Sequence, residues 1–125
     1  MVAYSFKACF AEDIVSGRKR QTIRAERKRH ARPGERLQLF VGMRTRQCRK
    51  LIPDPVCLRV EPISIWVPTK HEPAAVIQAG KRQYVTEAFA QADGFTSVEA
   101  FTRFWFDTHG PGQFSGVLIG WGEAA

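Results

Sequence analysis

The chain has 125 residues, of which 44% are hydrophobic and 25% charged, a balance typical of globular proteins and too apolar for a disordered one. The formal net charge is +7, and we expect one domain spanning residues 1–125. No apolar run approaches the ~18 residues that a transmembrane helix needs, and the first residues lack the basic and apolar regions of a signal peptide, so we expect no membrane partner.

The positive charge is concentrated in one segment. The stretch 18–50, called the basic segment below, contains thirteen Lys or Arg and two acids, a net charge of +11, whereas six basic and ten acidic residues elsewhere give −4. A one-sided positive field attracts polyanions, most commonly nucleic acid. The alternative is a solvated basic surface that contacts nothing. Of the two, the charge asymmetry favours the first, and we predict contact with RNA, DNA or a nucleotide.

Cysteine and histidine spacing indicates neither a disulfide framework nor a metal centre. Three cysteines, with no CxxC spacing, are an odd number for a disulfide scaffold and do not fit a zinc site. The three histidines, His30, His71 and His109, are scattered along the chain. We expect a reducing, cytoplasmic setting, and neither a metal nor another cofactor.

The first elements are short. Alternation over Tyr4–Phe10 predicts a strand. The residues Ala11–Ser16 fit one helical turn, with Ile14 and Val15 pointing inward and Gly17 ending it in the left-handed conformation.

A basic strand and a basic loop follow. We predict an extended stretch over Lys19–Arg24 and a loop over Ala25–Gly34, which Pro-Gly closes. Apolar residues at alternate positions of Glu35–Val41 predict a second strand with one buried face. A turn is expected at Gly42–Arg46.

The sequence pattern in the middle of the chain predicts four further short strands. These are Gln47–Ile52, Val56–Val60, Ile63–Val67 and Ala74–Ala79, the first two separated by Pro53-Asp54-Pro55.

The pattern changes to helical spacing after Gly80. Apolar residues within Val85–Ala92 recur at helical intervals. The sequence Thr96-Ser97-Val98-Glu99 has the form of a capping box and predicts a helix over Ser97–His109. The apolar stretch Phe114–Trp121 predicts a last strand in the core.

Many short strands with a few helices predict an α+β protein built on a small mixed β-barrel of about five to seven strands, with two or three helices packed around it. The pattern fits an OB-like and a PUA-like barrel equally well.

Three motifs, in this order, resemble the ASCH (activating signal cointegrator homology) domain family. They are Ile14-x-x-Gly17-x-Lys19-x-x-Thr22-Ile23-Arg24, then Pro33-Gly34-Glu35-Arg36-Leu37, then Ala92-Asp93-Gly94-Phe95-Thr96-Ser97 before an aromatic helix. The resemblance covers nearly the whole chain. It implies a PUA-like barrel with a central cleft.

The resemblance also implies candidate catalytic residues. Bacterial N4-acetylcytidine amidohydrolases of this family use a Lys, a Thr and a Glu, which correspond to Lys19, Thr22 and Asp93 here. Asp93 keeps the charge of the family's Glu but is shorter by one methylene. Other relatives are described as ribonucleases, and some are thought to bind RNA without turnover.

The chemistry sets conditions on these residues. Thr22 needs a base to take its proton. Lys19 can be that base only if burial or nearby cations lower its pKa from ~10.4. Strict alternation puts Lys19 and Thr22 on opposite faces, which excludes catalysis, unless a turn after Gly17 breaks the alternation. The alternative is that Thr22 is an ordinary strand residue, Lys19 is solvated and Asp93 ends a helix.

The basic segment supplies candidate phosphate contacts, because guanidinium groups bind phosphate bidentately. The predicted set is Arg18, Arg20, Arg24, Arg27, Lys28, Arg29, Arg32, Arg44 and Arg46. The aromatic residues Phe101, Phe104, Trp105 and Trp121 fall at core spacing, while Trp66 could pack or stack on a base.

We expect binding of RNA or a modified nucleoside, with metal-free removal of an acyl group from N4-acylated cytidine. A non-catalytic RNA-binding module and a metal-independent ribonuclease are the alternatives. Nothing in the pattern indicates an oligomeric state.

Overall fold

The computed structural model describes residues 2–69, 72–78 and 80–122. These residues form eight strands and three α-helices, so the predicted α+β class is confirmed. The strands are β1 Val2–Phe6, β2 Gln21–Ala25, β3 Leu37–Val41, β4 Arg49–Lys50, β5 Cys57–Val67, β6 Ala75–Gln78, β7 Lys81–Tyr84 and β8 Gly112–Trp121. The helices are α1 Ala11–Ser16, α2 Glu87–Ala92 and α3 Val98–His109.

The strands form two sheets. One has the order β1-β3-β4, with β1 and β3 parallel, and the other has the antiparallel order β2-β8-β5-β6-β7. Within the described residues a single isolated bridge, Arg36 to Val56, joins the β3 side to the β5 side. These two sheets are not closed into a barrel, so the predicted mixed β-barrel is wrong in that respect, and the described residues form eight strands where about five to seven were predicted.

The N-terminal strand is shorter than predicted. After β1 the chain turns into a 3₁₀ helix over Ala8–Phe10, where the Phe10 N–H donates to the Lys7 carbonyl over 3.0 Å. Phe10 is still buried. The helix α1 confirms the predicted turn, and Gly17 ends it at φ 85°. Val15 is 59% exposed, so its predicted inward position is wrong.

The strand β5 joins two predicted strands into one of eleven residues. Proline is tolerated at position 62 because β6 pairs with β5 only at Ile65 and Trp66, which leaves the outer edge at Pro62 unpaired among the described residues. The predicted strand Gln47–Ile52 is reduced to β4.

Sequence periodicity did not predict β7, one strand of the larger sheet. All four residues of β7 are exposed, so the strand has no apolar face for periodicity to reveal. The predicted strand before it is confirmed over Ala75–Gln78, and residue 79 lies outside the described part of the chain.

The helix α3 is capped, but without a capping box. The Ser97 hydroxyl accepts the Ala100 N–H over 3.1 Å. Glu99 then falls one position short of the place a capping box requires. Glu87 of α2 instead accepts the Val98 N–H over 3.2 Å, which ties the two helices together.

The core has two parts, one under β1, β3 and α1 and the other between α3 and the larger sheet. Phe95 and Phe104 pack against both. The buried half of β8, including Leu118 and Ile119, confirms the predicted core strand. None of the described helices is long and apolar enough to cross a membrane.

Candidate active site

A turn puts Lys19 and Thr22 on the same cleft. Gly17 ends α1, the Lys19 N–H donates to the Asp13 carbonyl over 2.9 Å, and β2 begins only at Gln21. Because Lys19 lies before the strand, alternation along β2 does not fix its direction. Both side chains line one cleft, so the condition that the sequence set for catalysis is met.

Lys19 reaches the end of α2. Its Nζ donates to the Asp93 backbone carbonyl over 2.5 Å and lies 3.5 Å from Asp93 Oδ1. The two residues are only 3% and 4% exposed. The Lys19 Nζ also lies 4.9 Å from the centroid of the Phe10 ring. The three residues implied by the family resemblance thus meet in one cleft.

Gly94 leaves room for this contact. It has φ +97°, and a Cβ built on it would lie 2.8 Å from Lys19 Cδ and 3.0 Å from Phe10 Cδ1. Such separations are far below van der Waals contact, so only glycine fits beside Lys19 without displacement.

Burial acts on both members of the pair. It lowers the pKa of Lys19, and the charge of Asp93 opposes this only in part. Burial likewise raises the pKa of Asp93 against the opposing effects of Lys19 and Gln21. Desolvation therefore shifts the pair towards a neutral amine and a protonated carboxyl, which are the forms needed for a base and an acid.

Gln21 contacts Asp93 and is itself bound by Arg59. The Gln21 amide nitrogen donates to Asp93 Oδ1 over 3.4 Å, and the Arg59 guanidinium donates to Gln21 Oε1 over 3.1 Å. Reasoning from the sequence missed both residues. Gln21 stands inside the Lys-x-x-Thr motif, which is a usable signal, but nothing in the sequence connects Arg59 of β5 with it.

Arg24 is turned towards Thr22. Its Nε donates to Thr22 Oγ1 over 3.0 Å and its Nη2 donates to the Ser5 carbonyl over 2.7 Å. The guanidinium carbon lies 4.7 Å from the centroid of the Phe6 ring. Burial lowers the pKa of Arg24 to about 10, so the group stays charged at neutral pH. The Arg24 guanidinium therefore lies beside the Thr22 hydroxyl and is only partly available to a nucleic-acid backbone.

The cleft has a volume of about 270 Å³, near the small end of the range for ligand sites. Its polar wall is made by Lys19, Thr22, Arg24 and Asp93. The remaining wall is largely aromatic and includes Phe6, Phe10, Phe95, Phe104, Trp105, His109 and Phe114. A larger hollow of about 580 Å³ beside α3 contains none of the predicted site residues.

The other predicted phosphate contacts lie outside this cleft. Arg18 pairs with Asp13 over 3.0 Å, and Arg29 pairs with Glu35 over 2.7 Å. The hydrogen bond from Arg29 lowers the pKa of Glu35 to about 2. Arg27 lies 4.5 Å from the centroid of the Tyr4 ring. The remaining members, Arg20, Lys28, Arg32, Arg44 and Arg46, are exposed.

The basic loop after β2 is anchored. The Tyr4 hydroxyl accepts the Ala31 N–H over 3.1 Å and lies 3.0 Å from His30 Nδ1. His30 Nε2 is 2.9 Å from the Ala25 carbonyl, to which it donates. The loop begins at Ala25, which lines the cleft. The anchored loop therefore starts at the cleft, and its exposed cations lie outside the cleft lining.

No three His, Cys, Asp or Glu residues in the described ranges are grouped to hold a metal ion. His71 lies outside those ranges. Trp121 and Trp105 are buried as predicted, and Trp66 is partly exposed with Arg82 5.6 Å from its ring centroid.

Comparison with protein-family models, with curated proteins and with solved structures finds no match to this chain.

Proposed function

We propose that the chain is a cytoplasmic ASCH domain of PUA-like ancestry that binds a modified nucleoside, free or within RNA, and removes an acyl group from N4-acylated cytidine. The observation that carries this proposal is the buried Lys19–Asp93 pair, 2.5 Å from Nζ to the Asp93 carbonyl, on the same cleft as Thr22. Burying an amine and a carboxyl together is costly for a fold and is typical of sites that transfer protons.

In the first step, Thr22 Oγ attacks the amide carbonyl while the neutral Lys19 amine takes the hydroxyl proton. The guanidinium of Arg24, already hydrogen-bonded to Thr22 Oγ1, stabilises the negative charge that develops at the reacting centre. The C–N bond then breaks as protonated Asp93 gives its proton to the leaving cytidine amine. The products are cytidine and an acyl ester on Thr22.

In the second step, water hydrolyses the ester. The Asp93 carboxylate takes a proton from the water, the water oxygen bonds to the acyl carbon, and Lys19 returns its proton to the departing Thr22 oxygen. One carboxylic acid is released, and the pair regains its starting protonation. The two neutral forms that burial favours are those with which each cycle begins.

The test of the nucleophile uses Thr22→Val and Thr22→Ser. Valine keeps the branched shape but has no hydroxyl, so acetate release from N4-acetylcytidine should fall by at least about a hundredfold. Serine keeps the hydroxyl and should stay within about tenfold of the unmodified protein. Mass spectrometry of acid-quenched reactions should find the acetyl group on Thr22. Full activity of Thr22→Val would exclude Thr22 as nucleophile.

A second candidate function is RNA binding without turnover. The observation that favours it is the exposed set Lys28, Arg32, Arg44 and Arg46, because a single nucleoside cannot contact so many cations. RNA shortening that depends on Lys19 would instead support a metal-independent ribonuclease that uses the same surface.

Salt dependence tests the RNA surface. Each cation that binds one phosphate of single-stranded RNA should add about 0.7 to the slope of log K against log salt. The double variant Lys28→Ala/Arg32→Ala should therefore lower the slope by about 1.4 if each residue binds one phosphate. The matched control Lys81→Ala/Arg103→Ala also removes two exposed cations, but outside the basic segment, and should leave the slope unchanged. Equal slopes for both double variants would rule out this surface.

A further inference from the structure

A second hollow of about 290 Å³ lies next to the cleft and shares none of its lining residues. Three arginines line it: Arg18 and Arg20 from the turn before β2, and Arg59 from β5. The first two are 41 and 39 residues away from Arg59 along the chain. The fold therefore brings together cations that the sequence keeps apart.

Glycines make room for two of these side chains. A Cβ at Gly17 would lie 3.1 Å from Arg20 Nη2, and one at Gly120 would lie 3.0 Å from Arg59 Cγ and Nε. Both glycines line the hollow. The Arg20 guanidinium and the Arg59 side chain thus lie against bare backbone at the lining of the hollow.

The charged partners of Arg18 and Arg59 can be exchanged. Arg18 pairs with Asp13 over 3.0 Å and with Glu12 over 3.9 Å, and Arg59 pairs with Glu61 over 3.4 Å. Both arginine side chains are about half exposed, at 59% and 49%. Ion pairs at such exposure are weak, so a tetrahedral anion with several acceptor oxygens can compete for the guanidinium groups.

We infer that this hollow is a binding site for a phosphate group. The guanidinium fork matches two phosphate oxygens, and Arg18 and Arg59 together offer two such forks. This inference does not depend on the proposed hydrolysis, since it concerns binding alone. The phosphate is either a nucleotide's terminal monoester or a phosphodiester of RNA, which carry the same oxygens.

The hollow is connected to the active site. Arg59 donates to Gln21, and Gln21 donates to Asp93. A phosphate that draws the Arg59 guanidinium towards itself changes the hydrogen bond to Gln21, and through it the position of the Asp93 carboxyl. Gln21 is a positioning residue in this arrangement.

Isothermal titration with inorganic phosphate in low-salt buffer tests the site. Arg59→Ala should bind phosphate at least about tenfold more weakly than the unmodified protein, and Arg59→Lys should fall between them because it keeps the charge and loses the fork. The matched control is Arg103→Ala, an exposed arginine on α3 outside the hollow, which should stay within about twofold. Unchanged thermal unfolding of each variant shows that it is folded.

The Gln21 side-chain amide signals in a ¹H–¹⁵N spectrum should shift on phosphate addition and stay in place with chloride at equal ionic strength. Competition of phosphate by cytidine monophosphate identifies the monoester, and competition by a short RNA without terminal phosphate identifies the diester. Equal phosphate affinities of Arg59→Ala and Arg103→Ala, or a Gln21 amide that does not respond, would overturn the inference.

Discussion

Replacing Lys19 by Met should abolish deacylation of N4-acetylcytidine. Methionine fills similar space but has no amine, so Thr22 loses the group proposed to take its proton. We expect a fall in kcat of about 10² to 10⁴, the usual contribution of a positioned base. Release of acetate measures it. The matched control is Lys7→Met on the rim of the same cleft, which should keep most activity because Lys7 is exposed. If Lys19→Met kept full activity, the proposed mechanism would be wrong.

The same variant should show a particular pH dependence of stability. The Lys19 charge lowers the pKa of Asp93, so removing it raises that pKa further above the unfolded value. A carboxyl whose pKa is raised by folding is destabilising once pH exceeds the unfolded pKa, and the loss grows until pH passes the folded pKa. Urea unfolding should therefore show Lys19→Met losing more free energy of unfolding at pH 7 than at pH 4.

The double variant Lys19→Met/Asp93→Asn provides the check on this pH effect. It removes the titrating carboxyl, so its free energy of unfolding relative to the unmodified protein should vary much less between the two pH values. An equally steep pH dependence in the double variant would assign the effect to another group.

Replacing Gly94 by Ala should cost about 2–5 kcal/mol of unfolding free energy. The left-handed backbone, at φ +97°, accounts for about 1–2 kcal/mol. The new Cβ also presses on Lys19 Cδ and Phe10 Cδ1, and such overpacking typically adds about 1–3 kcal/mol. Because Lys19 must move away from Asp93, activity should fall along with stability.

Gly34 provides a close control for the backbone contribution. It has φ +93°, and no heavy atom lies within 4 Å of a Cβ built there. Gly34→Ala should therefore cost only about 1–2 kcal/mol, with activity unchanged. The difference between the two variants in urea unfolding isolates the crowding at Lys19. Equal losses would mean that Gly94 matters only for its backbone conformation.

Local features of the fold were predictable from the sequence, and features that depend on distant pairing were not. The helix α1 with its terminal Gly17, the strand β3 and the core strand β8 each have a periodic or punctuating signal. The exposed strand β7 has none, because nothing along it alternates. Whether the strands close into a barrel depends on which strands pair with each other. The sequence of a single strand does not specify its partner.

The site shows the same division. The motif resemblance identified Lys19, Thr22 and Asp93 as candidate site residues. The sequence left open which way Lys19 points, and the turn after Gly17 directs it into the cleft. The Lys19–Asp93 contact joins residues 74 apart, and composition or periodicity alone could not predict it. Arg24 was predicted to contact phosphate; in the structure its Nε donates to Thr22 Oγ1, and its guanidinium lies near the Tyr4 and Phe6 rings.

The position of β8 has a consequence for how the protein is made. This strand is the last one described, yet it pairs on one side with β2, near the beginning, and on the other with β5. Among the described strands β2 pairs with β8 alone. During synthesis this pairing cannot form until residues 112–121 have left the ribosome, so the Thr22 wall of the cleft forms only then. An interrupted chain that ends before β8 carries the complete Lys-Thr motif and the basic loop, but not the strand against which Thr22 is paired. Premature products would thus keep the basic segment but lack the strand that pairs with β2.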